Sequence, residues 1–348
     1  MSHDLAPPRS RKQRAWLAEN LVQGVAPERL VARLEQLGLA PAEAREEVEA
    51  ARRHPLVQQG ARNTRQLGEL LSLLQSYTAL HRQSGWHQRL ERRQNLPPHE
   101  FLERYYFPNR PVVLQGMMNH WPALECWRPE RLTERFGDVE VEIMSGRETD
   151  PGHDISPDRF RTRIRLGDFL HKLLTQGPSN DYYLTARNFA LERSELRGML
   201  DDVRPIPGYL RAPGPKDIRL WVGPAGTVTE LHHDLNGHLF CQVSGRKRFK
   251  LIPIFEIASV YNQQRFWSAV DALRPDLERY PAYCEADILD VVLEPGEILF
   301  LPVGWWHWVH ALDVSVSATF SCFDLPGKLP SWRIHASEQA DPTTLTSA

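Results

Sequence analysis

Apolar positions change their period once along this chain. In the first third they recur every three or four residues; beyond Asp181 they alternate or form short blocks. Leu30, Val31, Leu34 and Leu37 keep helical spacing up to Gly38, a helix stop, and Pro41 opens the next stretch through Ala44, Val48 and Ala51. An earlier helix is predicted over Trp16, Leu17 and Leu21, ending at Gly24. Three helices this short make a small bundle, with too little core to be very stable alone. A longer helix follows, with Leu67, Leu70, Leu71, Leu74, Tyr77 and Leu80 on one side. That stripe predicts core packing, on the second domain, with a dimer or partner surface as the alternative.

Pro97-Pro98 marks a boundary. A short helix is predicted over Glu100–Tyr106, stopped by Pro108-Asn109-Arg110-Pro111, then a strand over 111–116, a helix over 129–136 and a strand over 139–144. The polar stretch 145–163 reads as a loop near a functional rim, and Leu166, Phe169, Leu170, Leu173 and Leu174 form one more amphipathic helix. Strands then crowd together at 181–185, 217–223, 227–234, 238–244, 247–253, 288–293, 296–301 and 307–323, the last one broken. Gly223-Pro224, Ser244-Gly245 and Pro295-Gly296 punctuate them as turns. Many short strands joined by tight turns predict an all-β core with helical additions, arranged as a two-sheet jelly roll. The expected division is a helical region at 1–95, the jelly-roll domain at 96–325 and a polar tail at 326–348.

Composition narrows the possibilities. Hydrophobic residues make up 41% of the 348 positions, enough for a sizeable core, and the net charge of −2 argues against a polycation that coats nucleic acid. The first 95 residues carry 15 Lys/Arg against 10 Asp/Glu, so a local basic surface that attracts an acidic peptide or RNA is a minor expectation beside a solvated face. No run approaches the length of an uncharged membrane span, and the start offers no apolar signal segment. Cys126, Cys241, Cys284 and Cys322 lie far apart without a paired motif, which fits a reducing cytoplasm.

Candidate chemistry begins at Thr229-Glu-Leu-His232-His233-Asp234. Strand residues two apart share a face, so His232 and Asp234 can both aim into a barrel. Alone this pair means little. A second signal lies at Glu294-Pro-Gly-Glu-Ile-Leu-Phe-Leu-Pro-Val-Gly-Trp-Trp-His307-Trp-Val-His310. In a jelly roll this later strand can return beside the earlier one. His232, Asp234 and His307 would then bind one face of a metal, a set that suits Fe(II) by leaving positions open for a co-substrate and O2. Trp221, Trp305, Trp306 and Trp308 are expected in the barrel wall. In Ser244-Gly-Arg-Lys247-Arg-Phe-Lys-Leu251, alternation puts Lys247 on the apolar face with Phe249 and Leu251, where a buried ammonium needs an anionic partner. Arg246, Arg248 and Lys250 share the solvated face.

Residues 217–253 and 288–323 resemble the JmjC, cupin-type family of Fe(II)/2-oxoglutarate oxygenases, on Gly-Pro-Ala-Gly-Thr-Val-Thr before His232, Gln-Val-Ser-Gly-Arg-Lys-Arg after it, and Trp-Trp-His307. The likeness extends over about 96–325, through Phe101-Leu-Glu-Arg-Tyr-Tyr, Asn109-Arg-Pro-Val-Val-Leu-Gln-Gly and Trp121-Pro-Ala, and is nearest in style to bacterial cupin-like proteins and the asparaginyl hydroxylase of hypoxia-inducible factor. It implies a double-stranded β-helix, metal ligation by His232, Asp234 and His307, and the distal carboxylate of 2-oxoglutarate on Lys247. It also implies hydroxyls from Thr229 and Tyr183 on that carboxylate, with Tyr182 as the register alternative. Two positions depart from the asparaginyl hydroxylase. His238 and Thr319 stand where asparagines orient the chelating end of the co-substrate, and both can still hydrogen-bond a carboxylate. His233 and His310 are expected to face outward or lie behind the ligands. The implied activity is hydroxylation of a protein or peptide side chain with Fe(II), 2-oxoglutarate and O2. An RNA hydroxylase, an N-methyl demethylase and a non-catalytic metal-binding cupin are the alternatives. The N-terminal helices would recognise substrate or form a homodimer, and no C-terminal dimerisation helix is expected.

Overall fold

The computed structural model describes residues 11–150, 152–264, 266–325 and 330; the expected tail at 326–348 otherwise falls outside them. Contacts divide the chain into two compact units, Met1–Ala79 and Leu80–Ala348. The first contains α1 (Arg11–Val22), α2 (Pro27–Gln36), α3 (Pro41–Arg53) and most of α4 (Pro55–Gln83). Proline opens α2, α3 and α4, where its missing N–H has no intrahelical partner to lose. Leu17, Leu21, Leu30, Leu34, Ala44, Val48 and Val57 close the small core.

The helical unit does not take the α4 stripe into its own core. Leu67, Leu70, Tyr77 and Leu80 are each more than half exposed. Leu71 and Leu74 are only half-buried. The reason is length: at 29 residues α4 extends about 44 Å, more than twice its neighbours, so the bundle covers only its first turns.

The second unit is the jelly roll. Its strands are β1 (Arg92–Gln94), β2 (Val112–Gln115), β3 (Glu140–Ser145), β4 (Arg161–Arg165), β5 (Tyr182–Tyr183), β6 (Ile218–Gly223), β7 (Val228–His233), β8 (His238–Ser244), β9 (Lys247–Ile252), β10 (Asn262–Gln264), β11 (Trp267–Ser268), β12 (Leu289–Leu293), β13 (Ile298–Leu301), β14 (Trp306–Ala311) and β15 (Ser315–Phe320). One sheet runs β1-β2-β13-β8-β15-β6, the facing sheet β10-β11-β7-β14-β9-β12, and a small third sheet β4-β3-β5. Four helices, α5 (Pro98–Phe101), α6 (Ala123–Cys126), α7 (Pro129–Phe136) and α8 (Leu166–Thr175), accompany the first half.

Three apolar clusters follow from strand alternation. Val113, Phe240, Phe249, Leu251, Leu299 and Trp305 fill the space between the two large sheets. Leu220, Leu239, Cys241, Ile298 and Phe320 pack with Phe101, Phe169 and Leu170 of the helices. Leu231, Ile252, Trp306 and Trp308 cover the back of the second sheet.

The expected breaks are largely where the turns were read, and 307–323 divides into β14 and β15. The stretch 145–163 is not a plain loop: it contains helical turns at Arg147–Thr149 and Pro157–Phe160 and enters β4. β4 reads Arg-Thr-Arg-Ile-Arg, an edge strand without apolar alternation to reveal it.

Candidate metal centre

His232 and His307 meet because β7 and β14 are antiparallel neighbours and these two residues are Cα partners in the register. Their ring centroids are 4.1 Å apart. Along β14 the neighbours Trp306 and Trp308 join the outer cluster while Val309 joins the inner one, so His307 points inward. β7 departs from strict alternation. The pairing steps three residues, His232 to Thr229, while β14 steps two, His307 to Val309. Leu231 faces outward by alternation, and the bulge lets Thr229, three residues from His232, face the interior with it.

Asp234 follows directly after β7. One carboxylate oxygen lies 3.9 Å from His232 Nε2 and the other 3.6 Å from His307 Nε2. One donor atom from each of the three residues can be chosen so that all lie within 4.8 Å of one another. His232 Nδ1 is 2.7 Å from the Glu230 carbonyl and His307 Nδ1 is 3.0 Å from the Trp305 carbonyl. A carbonyl only accepts, so each Nδ1 carries the proton and each Nε2 presents its lone pair. Burial, reinforced by His232, drives His307 down to about 3, so it stays neutral and available to a metal. Burial pushes the Asp234 carboxyl up, but His238, His307 and His232 together hold it below its usual range. Two neutral imidazoles and one carboxylate on one side of a point fit Fe(II), with the other side left to small ligands.

The triad lines a cavity of about 330 Å³ together with Tyr183, Thr229, His238, Phe240, Trp267 and Thr319. Behind this wall lies Lys247, 1% exposed. Its Nζ donates to the Tyr183 hydroxyl at 3.0 Å and lies 5.4 Å from the centroids of the Tyr183 and Phe240 rings. Burial pulls the ammonium down to about 7, the behaviour of a cation without its counter-ion. A carboxylate reaching this end of the cavity would supply that counter-ion. Arg246 and Arg248 pair instead with Asp313 and Asp290 on the solvated face.

The remaining candidates separate clearly. Tyr183 faces the cavity, whereas Tyr182 packs near Phe169 under the Lys172 ammonium. His238 spans from the Ser321 hydroxyl, 2.8 Å from its Nδ1, to Asp234, 3.3 Å from its Nε2. Thr319 accepts from Trp221 Nε1 at 3.4 Å. His233 packs edge-on to Trp306 yet also borders the cavity, whereas His310 lies beside Trp308, off the cavity. Of the four tryptophans expected in the barrel wall, Trp221 lines the cavity; Trp305 is anchored on the Asn109 carbonyl, and Trp306 and Trp308 pack on the outer face.

Several cavity residues were not singled out from sequence. Asp154 and Pro157, from the polar stretch, line the rim with Arg187, Arg219, Phe266 and Trp267. Trp267 stacks on His232 with centroids 4.7 Å apart. Arg147 is fully buried beneath the rim. It donates to the Val228 carbonyl at 2.7 Å, to Asn180 Oδ1 at 2.8 Å and to the Asp154 carboxylate at 3.4 Å. The only signal in sequence was a polar loop rich in Asp and Arg, which does not say which member turns inward.

A two-sheet jelly roll with an inward His-x-Asp…His set and a buried lysine defines a metal-dependent oxygenase scaffold. Residues 98–321 match the cupin-like domain, and the chain belongs to the cupin-like, JmjC-type family of Fe(II)/2-oxoglutarate oxygenases. The chain is 33% identical over 241 residues to lysine-specific demethylase JMJ30 of Arabidopsis thaliana, covering 67% of this chain and 54% of that protein. It is 28% identical over 256 residues to the human bifunctional peptidase and (3S)-lysyl hydroxylase JMJD7, covering 64% and 80% respectively. It is 39% identical over 235 residues to the HSPB1-associated protein 1 homolog of Danio rerio, covering 60% and 51%. The chain thus spans about half the length of most of the curated relatives it matches. The family works with Fe(II), 2-oxoglutarate and O2. No described helix is long and apolar enough to cross a membrane.

Proposed function

We propose that this chain is an Fe(II)- and 2-oxoglutarate-dependent hydroxylase of a protein or peptide side chain. The observation that carries the reading is the pairing of an inward His232–Asp234–His307 set with a buried, anion-less Lys247 behind the same cavity. Neither half alone would call for an oxygenase; together they accommodate a metal and a chelating diacid. With 2-oxoglutarate and O2, bound Fe(II) supplies the oxidising power that places an oxygen atom into an unactivated C–H bond.

The protein's part is positional. His232 and His307 would offer Nε2 and Asp234 a carboxylate oxygen to one face of the metal. Lys247 and the Tyr183 and Thr229 hydroxyls would hold the distal carboxylate, while His238 and Thr319 would donate to the other end. Trp221, Trp267, Phe240 and Phe249 narrow the cavity and exclude water from the reacting centre. The names of the relatives, a lysyl hydroxylase and lysine-specific demethylases, support a protein substrate. The unpaired cysteines support a reducing, cytoplasmic setting.

The test is conversion of 2-oxoglutarate to succinate by the purified chain with Fe(II) and ascorbate, lost in Asp234→Ala. Mass spectrometry of extract proteins and peptides after incubation should reveal products carrying one added oxygen atom. Release of formaldehyde from methyl-lysine peptides would redirect the reading to demethylation. Failure to bind or turn over 2-oxoglutarate under these conditions would leave a non-catalytic cupin.

A further inference from the structure

Arg187 stands on the cavity rim as a cation with no ion-pair partner among the described residues. Its guanidinium donates to the Asp154 backbone carbonyl at 2.9 Å and makes no ion pair with any described residue. It lies 5.7 Å from the Trp267 ring centroid, and Trp267 in turn stacks on His232. Arg187 is therefore one aromatic ring removed from a metal-ligand candidate.

The segment that presents it is rigid. Thr185 and Asn188 form a reciprocal cap: Thr185 N–H donates to Asn188 Oδ1 at 2.8 Å, and Arg187 N–H donates to Thr185 Oγ1 at 3.3 Å. Asn188 is tied to Glu142 at 3.2 Å, and the Arg187 carbonyl accepts from Arg161 at 3.0 Å. A long cationic side chain on a pinned turn, half-buried and unpaired, loses hydration without gaining a counter-charge.

The other charges around the cavity are already matched. Arg219 pairs with Glu192 at 3.6 Å, and Asp154 pairs with Arg147 at 3.4 Å. Asp234 belongs to the proposed metal, and Lys247 to the distal carboxylate of the co-substrate. Once metal and co-substrate are in place, Arg187 is, among the described residues lining the cavity, the positive charge left over on the side where a substrate must enter.

We infer that Arg187 anchors a carboxylate of the primary substrate, so that this site takes an acidic peptide rather than a lysine. The inference rests on the proposed oxygenase reading for its charge balance and deepens it by naming the substrate class. A guanidinium holds a carboxylate through two parallel N–H bonds, and leaving it unpaired against a neutral or cationic side chain forfeits that gain.

The experiment is anaerobic binding of fluorescent heptapeptide pools to the full chain loaded with Fe(II) and 2-oxoglutarate. The acetylated, amidated pools differ only in carrying Asp/Glu, Gln/Ala or Lys/Arg at the centre. The acidic pool is expected to bind about tenfold or more tighter than the basic one. Arg187→Gln should bring the pools to near equality, Arg187→Lys should keep the acidic preference in weaker form, and Arg187→Glu should invert it, a gain no misfolded protein can produce. A Gln/Ala pool with a free C-terminus separates a terminal carboxylate from a side-chain one. Equal or tighter binding of the basic pool by the parent chain overturns the inference, as does the absence of binding by every pool, or an acidic preference that survives in Arg187→Gln. Succinate formation in air, measured without peptide on the parent chain, reports separately on the oxygenase reading.

Discussion

The Tyr183 hydroxyl and the Lys247 ammonium form a hydrogen bond, 3.0 Å long, at the closed end of the cavity. Tyr183 arrives on the small third sheet and Lys247 on the second large sheet, 64 residues later. Burial pushes the Tyr183 phenol well above its ordinary value and Lys247 down to about 7, so neither supplies the other with a charge.

This makes co-substrate affinity pH-dependent in a defined direction. In the folded chain Lys247 releases its proton near pH 7, whereas an unfolded lysine keeps it to about 10.4. Between those limits the unfolded state binds more protons, so Lys247 adds stability to the empty protein as pH rises through that window. The dianion needs the charged form. Its affinity should therefore fall about tenfold per pH unit above 7, with proton uptake on binding. Calorimetry at pH 8 in buffers of different ionisation enthalpy checks this, and Lys247→Met should bind weakly with no pH slope.

Removing one ligand should separate metal binding from folding. Asp234→Ala leaves two imidazoles, and Fe(II) or Mn(II) affinity should drop by at least about a hundredfold. The inner and outer apolar clusters do not involve Asp234, so the melting temperature without metal should stay close to that of the parent. Metal titration and thermal melting of the same sample distinguish the two.

Arg147 is a structural cation. Its guanidinium serves Val228, Asn180, His153 and Asp154 from a fully buried position. Arg147→Met would remove the guanidinium from the Asp154 carboxylate and strand two carbonyls beneath the rim, costing about 3–5 kcal/mol. Arg147→Lys should rescue little, since an ammonium cannot reproduce the planar fork. Urea unfolding followed by tryptophan fluorescence measures both.

Gly245 controls where Lys247 sits. Its φ of +67° turns β8 into β9, and a Cβ there would lie 2.2 Å from the Val314 carbonyl oxygen. The Val314 backbone cannot yield without disturbing the β14–β15 turn. Gly245→Ala should destabilise the chain by about 1–3 kcal/mol and weaken 2-oxoglutarate binding disproportionately. Comparing the melting shift with the affinity loss tests that coupling.

Much of the site could be read before folding was considered, because its chemistry is locally encoded. His232-x-Asp234 uses strand alternation, Lys247 stands out as a charge on an apolar face, and turn residues delimit nearly every barrel strand. Thr229 is different. Only the bulge in β7 turns it inward with His232, and a bulge arises from pairing with β14, not from the local sequence. The rim was equally hidden. Asp154, Arg187 and Trp267 sit in irregular segments whose side-chain directions have no period.

By itself the sequence determined the succession of helices and strands, the jelly-roll class, and the residue types able to hold a metal and a diacid. These depend on short-range periodicity and on the cost of burying charge, both written into neighbouring positions. Tertiary structure decided the rest: that His232 faces His307 across one ladder, that the α4 leucines stay uncovered by their bundle, and that Arg187 reaches the cavity without an ion-pair partner among the described residues. Those outcomes depend on which distant strands and loops become neighbours, and no local pattern specifies that.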